Sequence, residues 1–188
     1  DLAEGMSYKN AMAGLPFGGA KAVLRRPEGE FDRVALFQAF GRAVEELGGT
    51  YVTAEDVGTS VADMQAVASQ TRHVAGLDVA EGAAGGDPSP WTALGVFEAM
   101  QAAARQSLGA ELSDLTVAVQ GTGNVGAALC RRLADAGARL VIADIDPRRR
   151  NTLAAVLNAN VVDVADIAAV EADIFAPCAL GGALDPQS

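Results

Sequence analysis

The run Gly121-Thr122-Gly123-Asn124-Val125-Gly126 constrains this chain more than any other stretch, because of what flanks it. Before it, Leu115–Gln120 is a near-continuous apolar run, the pattern of a strand buried on both faces. After it, Asn124–Ala136 reads as a helix stopped by Gly137, and Arg139–Ala143 as a second strand that delivers Asp144 to its end. A G-x-G-x-x-G pattern alone says little. Opening a helix after a strand, with a carboxylate twenty-three residues past Gly121, it has the full context of a dinucleotide-binding fingerprint.

Each position in the run has a physical task. Gly121 permits the tight turn, Gly123 lets backbone approach a pyrophosphate, and Gly126 lets helix and strand close up. The N–H groups that open the helix, from Thr122 through Asn124 and Val125, face the phosphates. Asp144 can accept from ribose hydroxyls and would repel a 2′-phosphate, so the expected cofactor is NAD rather than NADP. Arg148-Arg149-Arg150 argues the other way, because an arginine near that ribose is how such sites take the phosphate. As three like charges at a helix start they are also unfavourable without a partner.

The alternation continues with Arg148–Leu157 as helix, Val161–Val164 as strand, Ala165–Val170 as helix and Ala172–Ala176 as strand. Strands alternating with helices imply parallel βαβ units. Upstream, Arg72–Pro90 concentrates Gly76, Gly82, Gly85, Gly86, Pro88 and Pro90, which is loop composition and marks a domain boundary. Ser89-Pro90 suits the start of a long helix through Leu108. The expected fold class is α/β. A substrate-binding α/β domain over 1–80 precedes a Rossmann-type parallel-sheet dinucleotide-binding domain over 81–188, both incomplete. The ends suggest a piece of a longer polypeptide, with Asp1 opening directly into helix-like sequence.

In the first half, Gly5–Val23 carries Lys9 and Lys21 around Gly14, Pro16 and the Gly18-Gly19 pair. Gly14 and Pro16 are helix stops, and paired glycines let backbone turn and approach closely. The expectation is a helix carrying Lys9, a fold-back, and a strand Lys21–Leu24. That arrangement offers two cations to an anionic substrate, or else two solvated lysines beside a turn. Asp32–Leu47 has apolar residues on one helical face, Thr50–Ala54 reads as a strand delivering Glu55-Asp56, and Ser60 with Asp63 reads as a capping box.

Charge narrows the classes. Fourteen basic against 24 acidic residues leave a net charge of −10, which repels phosphate backbones and excludes nucleic acid as the expected partner. No apolar run is long enough for a membrane span, and no signal-peptide pattern opens the chain. Two cysteines, Cys130 and Cys178, and the single His73 cannot make a structural zinc site, so no metal is expected. Both cysteines read as buried free thiols of a reducing cytoplasm, and His73 as a structural residue.

The stretches GMSYKNAMAGLPFGGAK, YVTAEDVGTSVADM, GDPSPWTALGVFEAM, QGTGNVG, VIADID and DIFAPCALGGAL follow one another in an order that resembles the Glu/Leu/Phe/Val dehydrogenases, NAD(P)-dependent amino-acid dehydrogenases. The resemblance implies that Lys9 grips a substrate α-carboxylate, Met6 lines the substrate pocket, Lys21 is the catalytic lysine and Asp56 its acid–base partner. It implies further that Thr92 holds the nicotinamide carboxamide and that Ala176, Cys178 and Ala179 stand beside the nicotinamide ribose. The activity it implies is reversible NAD-dependent deamination of an L-amino acid to a 2-oxo acid and ammonia, in a cytoplasmic homo-oligomer. Gly-Gly-Ala before Lys21 is similar to glutamate dehydrogenases, whereas SYKNAMAG and AEDVGTSVADM look like the leucine, valine and phenylalanine enzymes, which favours an apolar substrate. A glutamate dehydrogenase, a dehydrogenase of another substrate, and a non-catalytic nucleotide-binding module are the alternatives.

Overall fold

A computed structural model describes residues 1–78, 85–181 and 184, which fall into two units, 1–88 and 89–188. The domain boundary expected after residue 80 lies outside the described residues.

In the first unit, α1 (Leu2–Met12) carries Lys9 and buries none of its residues. The chain then runs without a regular element to Asp32. The strand expected at Lys21–Leu24 does not form: extended backbone becomes a strand only beside a partner, and no described segment makes a ladder with it. Asp32 caps α2 (Arg33–Glu46) by accepting from the Ala35 N–H at 3.0 Å. Ser60 and Asp63 close the expected capping box at the start of α3 (Val61–Ala68). The two helices meet at Gly41, where a Cβ would come 2.8 Å from the Val67 carbonyl oxygen. Phe37, Met64 and Val67 form the buried core between them, with Phe40, Val74 and Leu77 packed against it.

The strand expected at Thr50–Ala54 is reduced to one parallel bridge, Thr53 with Val74. Its bonds are Thr53 N–H to His73 O at 3.1 Å and Ala75 N–H to Thr53 O at 2.7 Å. The β-branched sequence is extended as its composition predicts, but among the described residues only one short segment runs beside it.

In the second unit, α4 (Ser89–Ala103) continues through a π-helical turn, Ala104–Leu108, to left-handed Gly109, so the long helix ends where expected. The sheet follows: β1 (Thr116–Gln120), α5 (Asn124–Asp135), β2 (Arg139–Ala143), α6 (Pro147–Leu157), β3 (Asn160–Val161) and β4 (Ile174–Pro177). All pairings are parallel, in the order β3-β2-β1-β4. β3 is shorter than the expected Val161–Val164, and the helix expected at Ala165–Val170 is a single 3-10 turn, Ile167–Ala169, anchored by buried Ile167. Twelve residues, 162–173, join β3 to β4, and Ile167–Ala169 is the one helical turn among them.

β1 is buried on both faces. Val117 and Val119 face the core made with α4 and α5, and Ala118 faces a second core with Val141, Ala143 and Ile167. The chain leaves β1 toward β2 and β3 and returns on its other side as β4, so the strand order reverses between β1 and β4. In open parallel sheets that reversal, at the carboxyl ends of the strands, is where ligands bind. No described helix is long and apolar enough to cross a membrane.

Asp63 is the pivot of the first unit. Its carboxylate accepts from Arg33 Nε and Nη2 at 2.7 and 2.8 Å and from the N–H and hydroxyl of Ser60 at 2.8 Å each. The Arg33 hydrogen bonds, with those from Ser60 and against the opposing effect of burial, hold its carboxyl below the usual range. A carboxyl depressed in the folded state stabilises fully above its unfolded value, near pH 4, and the contribution is lost as pH falls through the lower folded value. Replacing Asp63 by Ala should therefore cost about 2 kcal/mol at pH 7, read from urea unfolding, and should flatten the stability loss below about pH 4. Asp63→Asn, which can still cap, should cost less; an unchanged midpoint in both variants would show that this carboxylate holds nothing together.

Candidate functional site

Two groups of candidate residues lie one in each unit. In the first, the fold-back is present and its cause is visible. Gly18-Gly19 lies along α1: the Asn10 side-chain amide donates to Gly18 O at 2.8 Å, and a Cβ on Gly19 would fall on the Ala3 carbonyl oxygen and the Ser7 N–H. Only glycine fits there. The segment that follows is laid against α2, where Ala20, Lys21 and Ala22 line a hollow of about 320 Å³ with Phe40, Ala43, Val44, Leu47 and Tyr51.

From this segment Lys21 Nζ reaches the Asp56 carboxylate and forms an ion pair with it. Asp56 is held by its own turn. Its N–H donates to Thr59 Oγ1 at 2.8 Å, its carbonyl accepts from the Thr59 N–H and hydroxyl, and its Oδ1 accepts from the Val57 N–H at 2.7 Å. Arg33 ties this turn to α2 and α3 by donating to Gly58 O at 2.8 Å as well as to Asp63. The side chains of Lys21 and Asp56 keep 29% and 46% exposure, so the pair is rigidly placed yet reachable by water and a small substrate.

The fold-back rests on the stripe Ala3–Ser7–Asn10, and at 100° per residue Lys9 points roughly a third of a turn away from that stripe. It is exposed, with no salt bridge among the described residues. Met6, on α1, is partly buried.

In the second unit the glycine loop has the form its sequence predicts. Gly121 has φ +94°, and a Cβ there would lie 2.8 Å from Ala179 N and 2.9 Å from the Cys178 carbonyl carbon. A Cβ on Gly126 would fall on the Gly121 carbonyl oxygen. Gly123 is different. It caps α5 with ordinary φ −66°, no side chain caps the Asn124–Val125 turn, and a methyl group on it would meet nothing nearer than Arg149 Nη1 at 3.8 Å. Two glycines close the loop and the third leaves open space before free helical N–H groups, which fits a pyrophosphate. Ala176, Cys178 and Ala179 stand at the end of β4, where the Cys178 N–H donates to Gln120 O at 2.8 Å, against Gly121. Thr92 is exposed on the first turn of α4.

Asp144 is at the end of β2 as expected, but it is 8% exposed and already engaged. Its Oδ2 accepts from Thr122 N–H at 2.5 Å and Thr122 Oγ1 at 2.8 Å, and its Oδ1 from the Asp146 N–H at 2.8 Å. Burial alone would push this carboxyl up; the Asp146 N–H, both Thr122 donors and the nearby Arg149 charge outweigh it and hold it below the usual range. Of the roughly four acceptor positions of a carboxylate, Asp144 retains about one for a ribose hydroxyl.

Thr122 as a partner of Asp144 has no local sequence signal, since the two are joined only by the fold. Nor does the sequence show the burial of Glu55, whose Oε2 has no hydrogen-bond partner among the described residues, as is true of Gln120 Oε1. Burial, then the charges of Asp87 and Asp63, push the Glu55 carboxyl up. Both cysteines are free thiols; burial pushes Cys130 up to about 12 and raises Cys178 as well, so neither is a ready nucleophile.

Residues 1–73 match the family model described as Glu/Leu/Phe/Val dehydrogenase, dimerisation domain, and residues 87–147 match that of Glutamate/Leucine/Phenylalanine/Valine dehydrogenase. The chain is 47% identical over all 188 residues to a leucine dehydrogenase of Geobacillus stearothermophilus, of which it covers 51%. Its fold matches the crystal structure of an L-tryptophan dehydrogenase from Nostoc punctiforme with a TM-score of 0.73 at 37% identity, covering 99% of this chain and 52% of that one. A hetero-hexameric glutamate dehydrogenase from Thermus thermophilus shares the fold, with a TM-score of 0.73 at 24% identity over 98% of this chain and 50% of that one. The chain thus spans about half the length of the relatives it matches.

The three glycines separate folding from binding. Gly121→Ala should destabilise the protein by roughly 2–4 kcal/mol, from positive φ and backbone overlap together. Gly123→Ala should leave the unfolding temperature unchanged while weakening nucleotide affinity at least about tenfold, by holding phosphate off the backbone. Thermal unfolding and calorimetric titration of both variants check this; Gly123→Ala with full affinity would show that no ligand approaches that backbone.

Proposed function

The chain belongs to the Glu/Leu/Phe/Val dehydrogenase family, and on that premise we propose that the protein it comes from is an NAD-dependent dehydrogenase of apolar L-amino acids, producing the 2-oxo acid and ammonia. The observation that carries this reading is the pairing of Lys21 with Asp56, from segments thirty-five residues apart, at the two positions the family resemblance marks for chemistry. The names of the relatives support an apolar side chain: those for leucine and tryptophan are far more similar to this chain than the glutamate enzyme is.

The glycine loop would hold NAD, which would supply the hydride-accepting chemistry. Everything else falls to side chains. Thr92 and the Ala176–Ala179 strand end orient the nicotinamide half, and Asp144 takes a ribose hydroxyl with its remaining acceptor position. Lys9 and Met6 hold the substrate carboxylate and side chain. Deamination needs protons moved between water and the amine. Asp56 Oδ2, presented by a turn whose hydrogen bonds with Thr59 and Val57 hold it, takes and returns the amine proton. Lys21, with the negative partner it needs to stay oriented, takes the proton of the attacking water as the free amine and, once protonated, donates to the oxygen of the 2-oxo product.

The working protein is proposed to be a cytoplasmic homo-oligomer. The dimerisation-domain match over residues 1–73 supports assembly, as does the exposure of Met12, Phe17, Val23 and Val57 in the first unit.

NADH formation by the full-length protein with L-leucine, L-valine, L-phenylalanine and L-glutamate tests the reading, and turnover with the first three should exceed that with glutamate. Lys21→Ala and Asp56→Asn should each lower kcat about 10²-fold or more with unchanged NAD affinity. Full turnover in Lys21→Ala would assign the chemistry to other residues.

A further inference from the structure

The turn Asp56–Thr59 makes its own shape but does not fix its own place. The Thr59 N–H closes it on the Asp56 carbonyl at 2.9 Å, and Gly58, at its third position, takes a left-handed φ of +81°. Thr59 Oγ1 and Asp56 Oδ1 accept from the N–H groups of Asp56 and Val57. None of these bonds reaches another element. Packing does not hold the turn either, since Val57 is 75% exposed and a Cβ on Gly58 would meet nothing within 4 Å. Apart from the Lys21 pair, one hydrogen bond from another element reaches residues 56–59 among the described residues. It runs from Arg33 Nη2 to the Gly58 carbonyl oxygen at 2.8 Å.

Arg33, the first residue of α2, is itself fixed. Its Nε and Nη2 donate to the two carboxylate oxygens of Asp63 at 2.7 and 2.8 Å, and its guanidinium lies 5.1 Å from the centre of the buried Phe37 ring. Asp63 also holds Ser60, the residue that follows the turn. The turn is therefore suspended from one carboxylate by two routes. Ser60 fixes its end through the chain, and Arg33 fixes its crest across space. The charge of Arg33 is already paired with Asp63, so what it gives the turn is position.

We propose that Arg33 is a positioning residue for Asp56, setting where that carboxylate stands against Lys21 and hence against the substrate amine. This rests on the reading that Lys21 and Asp56 carry the deamination. Proton exchange needs hydrogen-bond reach, and its rate falls steeply with displacement. Arg33→Lys separates the brace from the ion pair. It keeps a cation opposite Asp63, but the ammonium ends one bond short of Nη2 and has no fork to span Asp63 and Gly58. In the full-length protein with NAD and an apolar L-amino acid, Arg33→Lys should lower kcat about tenfold. Amino-acid KM and NAD affinity should change less than about threefold, with the unfolding temperature near that of the native protein. Arg42→Ala, which removes a cation from the same helix, should leave all four unchanged. In an Asp56→Asn background, adding Arg33→Lys should lower the single-turnover rate by less than about threefold more, because the group it positions is gone.

Native kcat in Arg33→Lys would overturn the proposal. So would losses that multiply in the double variant, the mark of damage unconnected with Asp56, or a lysine variant that does not fold, which would make Arg33 a residue of stability alone. Full turnover in Asp56→Asn would instead remove the reading of the Lys21–Asp56 pair, and the role of Arg33 with it.

Discussion

A carboxylate taken out of water must be met by donors on every side, and this chain uses that requirement twice. In the first unit Asp63 gathers Arg33 and Ser60, and through Arg33 it fixes the Gly58 carbonyl and hence the turn that presents Asp56. In the second, Asp144 gathers Thr122 and Asp146, clipping the glycine loop after β1 to the end of β2. Neither arrangement tolerates a half-satisfied partner, because the low dielectric around a buried group raises the cost of every missing bond. The flexible parts of each candidate site, a turn and a loop, thereby take their shape from a rigid ionic centre beneath them.

How much of this was legible in the sequence follows from the range of each interaction. Helices α2, α3 and α5 were, because caps and face periodicity lie within a few residues; so were β1 and β2, whose unbroken apolar runs admit only a doubly covered strand. The strands expected at Lys21–Leu24 and Thr50–Ala54 were not, since a strand is a property of two segments and the local sequence describes one. The fold-back was legible from Gly18-Gly19, but which face of α1 it covers was not: that is decided by contacts with Ala3 and Ser7. Likewise the glycine roles could be assigned in advance, while the Thr122–Asp144 bond joins two segments that only the fold brings together.

The reactive and inert groups separate by access to water. Lys21 and Asp56 satisfy one another's charge while remaining exposed, so substrate can enter their hydrogen bonding without a buried charge being stranded. Cys130, a stronger nucleophile by nature, is sealed in the core of α5 and β1 and held as the neutral thiol. Chemical capacity in this chain therefore follows from where side chains are left wet, more than from which side chains are present.

Gly19 carries a consequence for how such a chain can diversify. A place where any added carbon would overlap the main chain of α1 is closed to gradual change, because every step away from it disturbs the path that delivers Lys21. Adjustment of what the protein accepts must then come from neighbours with room to vary. Drift in the surrounding walls can retune selectivity while the delivery of the lysine stays fixed.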